Sequence, residues 1–154
     1  MSKKCSFNRF LIASLLTIPL LMQVALAAKP IYSGGKDRAA IRGYDPVAYF
    51  LVNEAVRGNK EISLQYKGAT WFFASEGNRA LFEQSPEKYA PQYGGYCAYA
   101  IARNNTASSK PEFFIIHNDK LYLNYSKSVY KRWLQDKQGY INEADQNWPS
   151  VIDK

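Results

Sequence analysis

Residues 62–75 read ISLQYKGATWFFAS, and this stretch decides the fold. Its first five residues alternate strictly between apolar and polar side chains, which is the pattern of a half-buried β-strand. Lys67-Gly68 then forms a turn, and the five residues after it are rich in aromatic and β-branched side chains. Ser75 is a suitable N-cap for a helix that continues through Phe82. The stretch therefore predicts a β-hairpin followed directly by a helix.

A second hairpin is predicted further along the chain. Residues 112–117 and 120–125 flank Asn118-Asp119, a pair suited to a tight turn. Ser126 can cap an amphipathic helix, whose apolar positions at helical spacing are Val129, Tyr130, Trp133 and Leu134. Two hairpins interleaved with short helices predict a small, single α+β domain.

Shorter elements fill the space between the hairpins. Asp45-Pro46 places an N-cap acceptor before a residue suited to the first helical turn, which predicts a short helix over residues 45–50. Ser85-Pro86 predicts another helix start. Residues 96–101 follow Gly94-Gly95, and their pattern fits either a strand or a tight helix.

The first 27 residues differ in composition from the rest. Three basic residues and no acidic ones precede residues 11–27, which carry no charge and end in Ala25-Leu26-Ala27. This layout is typical of a cleaved signal peptide, and we expect a periplasmic or secreted protein. The alternative is an uncleaved membrane anchor, against which Pro19 argues. Residues 28–42 are predicted to be an extended leader, and residues 43–154 the folded domain.

Charge and cysteine content limit the function further. Removing residues 1–27 leaves 154 − 27 = 127 residues with 17 basic and 13 acidic side chains, a formal charge of +4. No basic stripe or recognition motif accompanies this mild charge, so we expect no nucleic-acid partner, and no stable membrane insertion once the signal is cleaved. Cys5 is lost with the signal, and Cys97 becomes the only thiol.

Several motifs together carry a family resemblance. They are GYDPV at residues 43–47, YKG at 66–68, WFFAS at 71–75, Phe82, and SPEKY at 85–89. The combination resembles the YHS domain family over a core at residues 43–100. YGGYCA at 93–98, KLYLNY at 120–125 and NWP at 147–149 are similar to exported, stand-alone members of that family.

The resemblance also shows what this chain lacks. YHS modules attached to heavy-metal ATPases carry cysteines at three positions where this chain has Ala48, Ala74 and Asn78. Thiolates at converging loop ends suit copper or zinc, whereas alanine cannot bind a metal ion and asparagine is a poor ligand for a soft one. The resemblance therefore implies a conserved scaffold without its usual thiolate ligands.

The candidate site residues each have a structural alternative. Cys97 and His117 are the candidate metal ligands. For each of them the structural alternative is favoured: a small buried residue for Cys97 and a polar turn residue for His117. Cys97 is also a candidate for ligand binding, together with Tyr96, Tyr49, Asp45 and Trp71. Core packing is the alternative for the aromatic residues, and helix capping for Asp45.

Two classes of function follow. The favoured one is a small exported binding module for a transition metal, such as copper, or for a small ligand. The alternative is a structural or protein-interaction domain without ligand chemistry. An enzyme is the third choice, because Cys97, the only plausible nucleophile, has no identifiable base.

Overall fold

The computed structural model describes residues 28–153. The predicted signal peptide at residues 1–27 lies outside the described residues. Within residues 28–153, no helix is both long enough and apolar enough to cross a membrane.

The described chain is a mixed α+β domain, as predicted. Its strands pair into three two-stranded antiparallel sheets: β1 (Ser33–Gly34) with β2 (Ala39–Ala40), β3 (Asn59–Tyr66) with β4 (Ala69–Phe73), and β5 (Lys110–His117) with β6 (Lys120–Asn124). Its α-helices are α1 (Ala48–Leu51), α2 (Glu76–Gln84), α3 (Pro86–Tyr89), α4 (Ala98–Ala102), α5 (Lys127–Gln135) and α6 (Lys137–Asn147). Three 3₁₀ turns lie at Ile41–Gly43, Gln92–Gly95 and Ser150–Asp153.

Both predicted hairpins are confirmed. In the first, Leu64 pairs with Trp71, and the turn has positive φ at Lys67 (49°) and Gly68 (73°). In the second, the turn residues Asn118 and Asp119 also have positive φ, 49° and 56°. Two successive positive φ values match the right-handed twist of paired strands, which explains why these dipeptides close the hairpins.

Of the three predicted serine caps, two make the expected side-chain bond. Ser75 Oγ accepts from the backbone N–H of Asn78 at 3.1 Å, and Ser126 Oγ accepts from the N–H of Val129 at 3.3 Å. The Ser85 side chain makes no capping hydrogen bond, so α3 begins at Pro86 without a side-chain cap. The open choice over residues 96–101 is resolved as a helix, α4.

Two aromatic-rich cores hold the elements together. The first is built on the β3–β4 hairpin, where Trp71 packs on Phe82 with ring centroids 4.9 Å apart. The second lies between β6, α4, α5 and α6, where Tyr122 packs on Trp133 at 5.3 Å. Buried aromatic side chains supply most of the apolar surface that a domain of this size has to bury.

The leader is not simply extended, as residues 28–42 were predicted to be. It forms the β1–β2 sheet, and Ile31, Ala39 and Ala40 are buried. The N–H of Tyr32 donates to the carbonyl of Gly94 at 2.9 Å. Gly94 has φ +59°, and a Cβ atom there would collide with the carbonyl oxygen of Pro30. The leader is therefore part of the domain, held at a position where only glycine fits.

Candidate functional site

Asp45 is the centre of a buried hydrogen-bond network. Its side chain is 0% exposed. Oδ1 accepts from the backbone N–H groups of Val47 at 2.8 Å and Ala48 at 3.3 Å, so Asp45 does accept from N–H groups just before and at the start of α1. The helix itself begins at Ala48, later than the predicted start at residue 45. Oδ2 accepts from the backbone N–H of Ala74 at 2.8 Å and from the Asn78 side-chain amide at 2.7 Å. One carboxylate thus joins α1, the end of β4 and the first turn of α2.

Ala48, Ala74 and Asn78, where the family resemblance implies cysteines in metal-associated modules, all meet at this carboxylate. Ala48 and Ala74 donate their backbone N–H groups to it, and Asn78 donates its side-chain amide. The residues present do not fit a soft metal ion. Two of the side chains are methyl groups, and the third uses its N–H on Asp45. Hydrogen bonds to the carboxylate now connect these positions.

Cys97 is a buried thiol rather than an exposed nucleophile. It is 1% exposed, and its Sγ lies 3.8 Å from Asn124 Oδ1. Burial raises the pKa of the thiol, although the backbone N–H groups around it act in the opposite direction. The protonated thiol is therefore the form favoured at neutral pH, and this form is both a weak nucleophile and a poor metal ligand.

Asn124 is buried beside Cys97, and its Nδ2 has no hydrogen-bond partner among residues 28–153. The pair therefore forms a small polar contact inside an otherwise apolar region.

Cys97 and His117 do not form one site. Cys97 lies beside Leu123 of β6, and His117 pairs with Lys120 at the other end of the same strand. Three residues of strand separate these levels, roughly 10 Å at the usual rise. No group of three or more His, Cys, Asp and Glu side chains in the described part of the chain is arranged to hold a metal ion.

The other candidate aromatic residues lie in the cores. Tyr49 and Trp71 are buried, and the Tyr49 hydroxyl donates to the carbonyl of Pro111 at 3.1 Å. Burial strongly raises the pKa of Tyr49, so its phenol remains neutral. The Tyr96 hydroxyl donates to the carbonyl of Lys29 at 2.8 Å, which fixes the leader. These side chains pack in the interior of the domain and hold its segments together.

A cleft of about 410 Å³ lies where the leader and the C-terminal segment meet the β3–β4 core. We call it the junction cleft; six of its lining residues are Tyr66, Lys67, Glu87, Tyr93, Trp148 and Pro149. Its volume is within the range of small-molecule sites, and sites of this kind often occur where two parts of a fold meet.

Three polar groups converge at one end of the junction cleft. Glu87 Oε1 accepts from the Tyr66 hydroxyl at 2.9 Å and from Lys67 Nζ at 2.8 Å. The Lys67 ammonium and the Tyr66 hydroxyl lower the pKa of Glu87, and the same contact with Glu87 raises the pKa of Lys67. Both groups are therefore charged at neutral pH, and both are open to solvent.

Aromatic and proline side chains also line the cleft. Tyr93 and Trp148 lie with ring centroids 6.1 Å apart, and Pro149 follows directly. The Tyr93 hydroxyl donates to Asp145 Oδ1 at 2.8 Å, which fixes the ring against α6. Burial, followed by the bond to Asp145, raises the pKa of Tyr93. The cleft therefore combines apolar aromatic side chains with charged groups that are open to solvent.

The sequence did not predict the junction cleft. Of its polar residues, Lys67 was interpreted as a turn residue, and Tyr66 and Glu87 appeared only as parts of motifs. None of the predicted site residues, Cys97, Tyr96, Tyr49, Asp45, Trp71 or His117, lines it. A signal was present, since Tyr66, Lys67 and Glu87 all belong to the motifs that carry the family resemblance.

The fold and the buried network define a small α+β domain organised around one carboxylate. The family model for the YHS domain matches residues 47–93, and this part of the chain is a YHS domain. The match lies inside the core predicted at residues 43–100. No curated protein and no solved structure gives a significant match to the chain.

Proposed function

We propose that the protein is a small-ligand-binding module and that the junction cleft is its site. The observation that carries this proposal is the pairing of the aromatic side chains of Tyr93 and Trp148 with the polar groups of Tyr66, Lys67 and Glu87 in one cleft of about 410 Å³. Binding sites commonly combine a mostly apolar lining with a few convergent polar groups.

The polar end suggests the chemistry of the ligand. Glu87 uses Oε1 for both of its hydrogen bonds, so Oε2 can accept from a ligand N–H or O–H. Lys67 and Glu87 neutralise each other, which favours an uncharged ligand over an ion. We infer a small, neutral and partly apolar molecule that carries a hydrogen-bond donor. A transition metal, copper included, has less support, because Cys97 and His117 are apart.

Titration with three ring-matched probes tests this. Tyrosol, tyramine and 4-hydroxyphenylacetate share a phenol ring and differ in having a neutral, cationic or anionic end. Binding is followed by the NMR chemical shifts of the protein backbone amides. Tyrosol should bind most tightly, and it should shift the amide signals of residues 66–67, 87 and 93–94. Ala90→Phe, which fills the cleft, should abolish binding. Glu87→Ala should weaken it about 2- to 10-fold, the usual value of one hydrogen bond.

Glu83→Ala is the matched control, because Glu83 is an exposed carboxylate on α2 outside the cleft lining. It should bind tyrosol as the wild type does. Binding should persist as the pH falls through the ordinary Glu range and weaken only at the lowered pKa of Glu87, where the carboxylate is protonated. Unchanged binding by Ala90→Phe would contradict the proposal and favour the alternative, a structural or protein-interaction domain.

We also propose that the protein is exported and acts in the periplasm or outside the cell. Residues 1–27 support this, since a basic start, an uncharged stretch and Ala25-Leu26-Ala27 form the layout that signal peptidase recognises. The intact mass of the exported protein should correspond to a chain starting at Ala28. A membrane-bound form that retains residues 11–27 would contradict it.

A further inference from the structure

A second hollow, separate from the junction cleft, has four basic residues among the eight that line it. It has a volume of about 340 Å³ and includes Lys36, Arg42, Arg57 and Lys110, with Tyr44 and Glu112. We call it the basic hollow. Its four cations come from four places in the chain: the β1–β2 turn, the first 3₁₀ turn, the loop before β3, and the start of β5.

Half of this positive charge remains when the nearby carboxylates are counted. Arg57 forms the only ion pair of the four, with Asp37 at 3.5 Å. Within residues 28–153, Lys36, Arg42 and Lys110 have no carboxylate within ion-pairing distance, although Glu112 lines the same hollow. Four cations against Glu112 and Asp37 leave a formal charge of 4 − 2 = +2.

The backbone holds Arg42 in an uncommon conformation. Ile41, Arg42 and Gly43 all have positive φ, at 48°, 55° and 83°. Left-handed backbone is rare for a β-branched residue such as Ile41, and it persists only where surrounding contacts enforce it. Here Ile41 is anchored in the core, and the Gly43 carbonyl accepts from the N–H of Gly58 at 2.9 Å. Arg42 is thereby fixed at the rim.

The Arg57 side chain is exposed but has three contacts that orient it. One guanidinium nitrogen donates to the Arg42 carbonyl at 3.3 Å and another to Asp37 Oδ2 at 3.5 Å. Its guanidinium carbon lies 5.3 Å from the centre of the Tyr44 ring. A guanidinium held on an aromatic ring loses little further side-chain entropy when it binds an anion.

We propose that the basic hollow binds small polyanions that carry phosphate or carboxylate groups. Guanidinium groups match the paired oxygens of both, and ammonium groups add charge without demanding one geometry. The volume exceeds that of a single phosphate, since it corresponds to roughly ten water molecules at 30 Å³ each. The expected ligand is therefore larger than inorganic phosphate and carries at least two negative charges.

Calorimetric titration of the wild-type protein with pyrophosphate, citrate and inorganic phosphate tests the proposal. Pyrophosphate or citrate should bind saturably and more tightly than inorganic phosphate, and added salt should weaken the binding. Lys110→Gln and Arg42→Asn should each weaken it by at least about 10-fold, because each removes one charge-assisted contact. Asparagine is chosen at position 42 because it tolerates positive φ, so the fold should be retained.

Lys120→Gln is the matched control. Lys120 is exposed and pairs with His117, seven residues along β5 from Lys110, about 20 Å at the usual rise. It should bind as the wild type does. Equal weakening by Lys120→Gln, or no saturable binding of any of the three anions, would overturn the proposal. A third arm of the experiment uses phosphatidylcholine vesicles with and without phosphatidic acid. Binding to the acidic vesicles without binding to any of the three soluble anions would overturn the proposal in favour of a membrane surface.

Discussion

Replacement of Asp45 by alanine should lower the free energy of unfolding by about 3–5 kcal/mol, the range found when one partner of a buried charged network is removed. The side chain is wholly buried and accepts four hydrogen bonds. Alanine leaves the N–H groups of Val47, Ala48 and Ala74 and the amide of Asn78 without this acceptor. Chemical denaturation followed by tryptophan fluorescence measures the loss.

Two further variants distinguish the effect of losing the hydrogen-bond network from the effect of losing a negative charge. Asp37→Ala removes an exposed carboxylate whose single partner is Arg57, and it should cost no more than about 1 kcal/mol. Asp45→Asn keeps one acceptor oxygen but directs an N–H₂ group toward other donors, so it should also be clearly destabilised. If Asp45→Ala costs no more than Asp37→Ala, the network is not what joins α1, β4 and α2.

The parts of the fold that the sequence predicts well are those with local causes. The alternation before Tyr66, the Lys67-Gly68 and Asn118-Asp119 turns, and the Ser75 and Ser126 caps each act within a few residues. These features can therefore be recognised in a short window of sequence. The two hairpins and the helices after them agree with the structure for this reason.

The contacts that order the leader were not predicted, because they come from distant parts of the chain. Residues 29–37 show little periodicity, and Gly34-Gly35 suggests a linker. In the structure, Gly35 closes the β1–β2 turn at φ +81°, and the chain is held by bonds to Gly94 and Tyr96. Contacts between residues more than 60 positions apart leave no local pattern in the sequence.

The candidate site shows the same division. The capping role of Asp45 was predictable, since Val47 and Ala48 follow within three residues. Its bonds to Ala74 and Asn78 cross 29 and 33 residues and were not predictable from spacing. Cys97 could not be placed because its pattern fitted both a strand and a helix, and the structure buries it beside Asn124.

The convergence at Asp45 shows what connects the three positions at which the family resemblance implies cysteines. In metal-associated YHS modules, a bound ion would connect the loop ends that carry the thiolates. Here Asn78 donates to Asp45 Oδ2 at 2.7 Å, and the same loop ends are connected by hydrogen bonds. The carboxylate remains, so a cation introduced at this point would meet a ready negative charge.

The triple variant Ala48→Cys/Ala74→Cys/Asn78→Cys should therefore gain a thiolate metal site. Without the Asn78 amide, Asp45 Oδ2 keeps only the hydrogen bond from the backbone N–H of residue 74. Its second lone pair can then serve as a fourth ligand, which completes the tetrahedral set that zinc prefers. Ala74 is exposed and Asn78 is half-buried, so an ion has a path of entry. Zinc or Cu(I) should bind at least ~100-fold more tightly than to the wild type, with binding tied to folding. Competition titration against a chelating dye gives the affinity, and X-ray absorption gives the number of sulfur ligands.

Ala80→Cys/Ser128→Cys/Gln138→Cys is the matched control, because it adds three exposed thiols on the separate helices α2, α5 and α6. It should bind metal no better than isolated thiols do, and it should show no three-sulfur ligation. If the first variant unfolds without metal, recovery of its tryptophan fluorescence on adding zinc reports the same site. Equally weak binding by the two triple variants would mean that hydrogen bonding to Asp45 brings these three positions near one carboxylate without placing their side chains around a common point.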